Sequence, residues 1–161
     1  MTRPPEIVRW EALEGPDWTY KGSDEPMCRD ADYGQHFGFR TLGIHHVRLE
    51  PGRRTSFPHA ESREDEFVYV IHGTPDVWLD GHLHRLQPGD AVGFPAGTGL
   101  AHTFLNNTDS HVRLIVAGDR PKADNRITYP MNPEQRPLRA DWWDDAPTRP
   151  LGPHDGRPRP K

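Results

Sequence analysis

Apolar residues in this chain recur in short alternating runs, nearly all between residues 37 and 118. The runs are Thr41 to Glu50, Glu66 to Ile71, Asp76 to Leu79, His82 to Leu86, Ala91 to Phe94, His102 to Leu105 and Val112 to Ala117. They are rich in Val, Ile, Phe and Leu and are parted by Gly, Pro, Asn or Asp. Alternation over so few residues predicts strands. Asp80-Gly81, between Leu79 and His82, predicts a two-residue hairpin, and Pro88-Gly89-Asp90 and Asn106 to Asp109 mark further turns. Several short strands at this spacing predict an all-β sandwich or small barrel.

Outside this block the pattern changes. Ile7 to Trp10 reads as a short strand and residues 11 to 36 as turns and loop. The expected division is therefore an N-terminal extension (1–36), a barrel (37–120) and a Pro-rich C-terminal arm (121–161). Nine of the 18 prolines fall in the last 41 residues, too many for regular structure. That arm also carries Trp142 and Trp143, which are unusual in a solvated tail. It reads either as a disordered tail or as an arm packed on its own barrel or on a second subunit.

Composition agrees with one core and polar ends. The chain has 161 residues, 33% hydrophobic, with a mean hydropathy of -0.89. Its net charge is -4, and residues 1 to 120 carry 12 basic against 18 acidic side chains. No basic stripe marks a nucleic-acid footprint. The single cysteine, Cys28, lies in a polar loop and favours a reducing compartment. No stretch approaches membrane-spanning length, and the first residues lack the apolar segment of a secretory signal. The expectation is a soluble, cytoplasmic protein.

The candidate chemistry lies in two segments. Residues 51 to 73 supply His59 and Glu61, then Glu66 at the start of a strand; residues 89 to 106 supply His102 at the start of another. Side chains two apart in a strand share a face, so His59 and Glu61 can converge on one ion. Imidazole and carboxylate suit Mn, Fe, Zn or Ni as a divalent ion, and no thiol lies near. The expected metal ligands are His59, Glu61, Glu66 and His102. Two carboxylates would neutralise the ion, and Glu61 is also the candidate catalytic base if it leaves the metal.

At these spacings the sequence resembles the cupin superfamily of small conserved-barrel proteins. Gly52, Glu66 and Gly73 fit the first cupin motif, with His59 one position late and Glu61 where a second His is usual. Gly89, Pro95, Gly97, His102 and Asn106 fit the second, with four residues rather than two between Gly97 and His102. The resemblance covers about residues 40 to 118. It implies a double-stranded β-helix, a jelly-roll-like barrel with irregular extensions, as well as a divalent metal ion and homodimerisation. The activities it implies are isomerisation of a sugar or sugar phosphate, dioxygenation or decarboxylation of a small polar molecule.

Strand parity lines the expected pocket with Phe57, Val68, Phe94 and Phe104. Of the adjacent His45 and His46, only one can face inward. No nucleophile stands beside a base, which argues against covalent catalysis. Two function classes remain: a metal-dependent enzyme, of isomerase or oxygenase type, and a non-catalytic metal- or small-molecule-binding sensor barrel. Neither nucleic acid nor membrane is an expected partner.

Overall fold

Each of the seven alternating runs folds as a strand. The computed structural model describes residues 3–159, and its ten strands are β1 (Arg29–Asp32), β2 (Leu42–Leu49), β3 (Ala60–Glu61), β4 (Glu66–His72), β5 (Asp76–Leu79), β6 (His82–Arg85), β7 (Ala91–Phe94), β8 (His102–Leu105), β9 (Val112–Asp119) and β10 (Ile127–Thr128). Every ladder is antiparallel. The strands form a five-stranded sheet in the order β1-β2-β9-β4-β7, a three-stranded sheet β6-β5-β8 and a two-stranded pair β10-β3. The hairpin between β5 and β6 turns on Asp80 and Gly81 at φ 43 and 90, as a two-residue turn requires.

The inner faces of the two larger sheets pack against each other. Val47 and Leu49 (β2), Val68 and Val70 (β4), Phe94 (β7), Val112 and Leu114 (β9) meet Val77 (β5) and Phe104 (β8) in one buried cluster. This is the all-β architecture the pattern predicts. The sheets face each other without closing into a hydrogen-bonded ring among the described residues. Residues 53 to 59 run antiparallel beside β8, held by Thr55 N–H to Phe104 O and by the reciprocal pair His59–His102.

The N-terminal region departs from expectation. Ile7 to Arg9 are irregular, Trp10–Ala12 form a 3-10 turn, and the strand in this region is β1 instead. Its sequence, Arg-Asp-Ala-Asp, has no apolar alternation. Main-chain pairing with the edge of β2 builds it, through Asp30↔Val47 and Ala31↔His46. A four-residue helix, Tyr33–His36, follows it, with the Asp32 side chain accepting from the Gln35 N–H. Both elements lie in a stretch read as loop.

The C-terminal arm packs on its own barrel. Its β10 pairs with β3, and Trp143 closes a cluster with Trp78, Leu105, Ala60 and Ala101 on the outer face of the three-stranded sheet. Further along, the Trp78 indole donates to His154 O at 2.8 Å and Arg54 donates to Gly156 O at 2.9 Å. Gly81 leaves no room for a Cβ against the backbone of Gly152. The outer face of the five-stranded sheet has no such cover at Phe67 and Tyr69, which are exposed. Among the described residues no helix is long and apolar enough to cross a membrane.

Candidate metal centre

Two histidines reach one point from the same sheet, and a glutamate reaches it from the facing sheet. His59 and His102 exchange both main-chain hydrogen bonds, N to O distances 3.1 and 2.9 Å, so their side chains share a face. Their rings stand 4.7 Å apart. Glu66 opens β4 on the opposite sheet, and its Oε1 lies 3.0 Å from His102 Nε2. Ligand-type atoms of His59, Glu66 and His102 all fall within 4.8 Å of one another.

Both imidazoles are oriented from behind. His59 Nδ1 lies 3.0 Å from Phe57 O and 3.2 Å from Ser56 Oγ, and His102 Nδ1 lies 3.4 Å from Leu100 O. In each case the ring nitrogen meets the carbonyl two residues earlier, which turns Nε2 into the cavity. Backbone-held Nδ1–H is the usual way a metal-binding histidine is fixed in tautomer and aim. Phe94 stacks on the His102 ring at 3.5 Å and 9° and fixes its plane. Two nitrogen donors and one oxygen donor, pre-aimed, fit a divalent first-row ion.

The protonation states agree with that fit. Burial, with a smaller push from the His102 charge, takes the His59 imidazole down to about 4, so its ring is neutral near pH 7. Burial alone would raise the Glu66 carboxyl, but the His102 hydrogen bond, with the neighbouring imidazoles of His102, His59 and His45, outweighs it. The net effect lowers the Glu66 pKa from its ordinary value.

Glu61 stands outside this group. It lies in the two-residue strand β3, half-buried, opposite Ile127 of the arm. Burial first, then the charges of Glu64 and Glu66, push its carboxyl up to about 8, against smaller opposing effects of Asn125 and Arg139. The four ligands expected from sequence are thus three convergent donors and one neighbouring acid. The pocket residues separate too. Phe104 lines a cavity of about 430 Å³ together with His59, Glu66 and His102. Phe94 lies behind His102 and Val68 in the inter-sheet core. Phe57 stacks on Tyr20 at 4.1 Å in a separate cluster.

Phe57 leaves the cavity because residues 55 to 58 bend rather than extend. Parity fails across that bend, and the extra residue before His59 is accommodated there. One part of the cavity wall comes from the segment read as loop. Trp18, Cys28 and Asp30 line it with His45, whose Nδ1 is 2.8 Å from Asp30 Oδ2. That hydrogen bond raises the His45 pKa above its ordinary value, against burial. Only the adjacent His45-His46 pair signalled this wall, since no more than one of the two can face inward; His46 lies on the other face and stacks on Trp10 at 4.4 Å.

Comparison with known proteins gives a consistent set of likenesses. Residues 45–118 match the family model described as Cupin domain. A solved structure of a sugar phosphate isomerase from the cupin superfamily, from Silicibacter pomeroyi, is 34% identical with a TM-score of 0.61, covering 63% of this chain and 64% of that one. The polyketide synthase CurC of Streptomyces cyaneus is 29% identical over 111 residues, 69% of this chain and 67% of that protein. Germin-like protein subfamily 2 member 1 of Arabidopsis thaliana is 34% identical over 87 residues, 50% of this chain and 38% of that protein. The chain therefore spans under two thirds of the isomerase and well under half of the germin-like protein.

Proposed function

Because this chain belongs to the cupin superfamily as a conserved-barrel protein, we propose that it is a metal-dependent enzyme of sugar-isomerase type, with His59, Glu66 and His102 holding a divalent ion. The observation that carries this reading is the convergence of those three donors at the floor of one cavity. The likeness to a sugar phosphate isomerase at 34% identity supports the reaction class.

A bound ion supplies Lewis-acid polarisation of a carbonyl or hydroxyl oxygen. The chain supplies the rest. Glu61, its carboxyl pushed up to about 8, holds a proton near neutrality and releases it within reach of working pH, as a general acid–base group must. Trp18, Val47, Phe104 and Val116 give the cavity an apolar wall, which limits water around the reacting atoms. Ser56 and Thr55 hydroxyls add donors and acceptors.

The test begins with metal analysis of the purified protein. Mn- and Fe-loaded samples are then assayed for aldose–ketose interconversion and for oxygen uptake. Stoichiometric metal with isomerisation supports the proposal. Oxygen uptake instead moves the reading to a dioxygenase, and metal without turnover moves it to a binding or sensor barrel.

A further inference from the structure

Two cavities meet at Glu66 and His45. One is the 430 Å³ cavity above the three donors; the other, about 190 Å³, adjoins it around Glu61. Six carboxyl groups line the two together: Asp30, Glu61, Glu64, Asp65, Glu66 and Asp119. Among the described residues, no Lys or Arg side chain lines either. Several cations of the surrounding segments are already engaged, Lys122 with Asp119 at 2.6 Å among them. Arg29 and Arg53 each reach Asp17 at 2.7 Å, Arg54 holds Glu25 through two contacts of 2.7 Å, and Arg139 holds Asp141 through two of 2.9 and 2.6 Å.

We infer that the substrate is an uncharged polyhydroxylated molecule, such as a free sugar, and that this site excludes phosphate esters. The inference rests on the reading of this cavity as the substrate site. A phosphate dianion is bound by forked guanidinium or ammonium donors. Here it would lose its water beside Asp30 and Glu66 with no such donor, which is costly. A divalent ion already shares its charge with its Glu66 ligand, and the Asp30 carboxylate is taken up by His45 Nδ1 at 2.8 Å, so neither provides a forked donor for a phosphate. Sugar hydroxyls meet the opposite situation: the carboxylates accept their protons, and Thr55 and Ser56 pair with either partner. The Trp18 indole offers a flat apolar surface for the C–H face of a ring. The chain thereby differs in substrate from the phosphate-acting relative it resembles.

The experiment uses Mn-loaded full-length protein of known metal content. Binding of matched pairs (ribose and ribose 5-phosphate, xylose and xylose 5-phosphate, glucose and glucose 6-phosphate) is followed by calorimetry and by relaxation of Mn-bound water protons. The inference expects at least one free sugar to bind, and each phosphate to bind at least about tenfold more weakly than its parent. In Asp30→Asn that gap narrows, on the order of tenfold. A phosphate binding tighter than its parent overturns the inference, as does a panel in which no free sugar binds; glucosamine binding above glucose replaces the uncharged class with a cationic one. Stoichiometric metal with any of these failures leaves the metal reading standing. Absence of metal removes both.

Discussion

Glu66 Oε1 and His102 Nε2 lie 3.0 Å apart although they belong to different sheets. This contact bridges the two sheets and sets two ligand atoms side by side. A metal ion would take both atoms as ligands and strengthen the bridge. Glu66→Ala and His102→Ala are therefore expected to lose stoichiometric metal. Chelation should lower the melting midpoint of wild type by roughly 5–10 °C, the shift for an ion at a hundredfold excess over Kd in a chain of this size. Elemental analysis with a thermal melt checks it. Equal metal content in wild type and both variants would exclude these residues as ligands.

Glu61 and the three donors should respond differently to substitution. With Glu61 outside the convergent group, Glu61→Gln is expected to keep its metal and to lose about 10²- to 10⁴-fold in turnover, the usual worth of a general acid–base group. Glu61→His should also keep the ion. Loss of metal in Glu61→Gln would make Glu61 a ligand.

The sequence reading and the structure part company at definable places. The alternating runs were legible because one face of each strand is buried against the opposite sheet, as Val68 and Val70 are in β4. The convergence of His59, Glu66 and His102 was legible because motif spacing survives in a chain whose turns are short. Asp30 and Cys28 were not. Their strand has no apolar period and is built by main-chain pairing with β2, a long-range contact that local pattern does not carry. Phe57 was misplaced because alternation was carried through a bend at residues 55 to 58. Trp142 and Trp143 signalled an ordered arm, but only the structure shows that Trp143 covers Trp78 of its own barrel.

Asn106, which closes the second motif, is expected to act on the fold alone. It is fully buried and donates Nδ2 to Leu49 O and Ser110 O at 2.9 and 2.8 Å. Its Oδ1 accepts from Thr108 N and Oγ1 at 3.0 and 2.7 Å. Asn106→Leu removes these partners and should cost about 2–4 kcal/mol. Urea denaturation measures the loss. Retained metal per folded molecule is expected, and its disappearance would tie Asn106 to the site itself.

Cys28 gives a prediction with a defined pH window. Burial pushes its thiol from 9.0 up to about 12, with small opposing effects from Trp18. Below pH 9 the thiol is protonated in both the folded and the unfolded chain, so it contributes no slope. Between about pH 9 and 12 the unfolded chain releases the proton while the folded chain keeps it. The folded state then binds more protons, and stability falls as pH rises, by up to about 1.4 kcal/mol per unit. Cys28→Ala lacks that slope. Its stability relative to wild type should be constant below pH 8.5 and improve steadily from pH 9 to 10.5, read by denaturant unfolding at each pH. The same burial should keep Cys28 unreactive toward iodoacetamide at pH 8 until the chain unfolds, since the thiolate is the nucleophile. Parallel stability curves, together with rapid alkylation of the folded protein, would mean that Cys28 faces water and that the N-terminal segment does not wall the cavity.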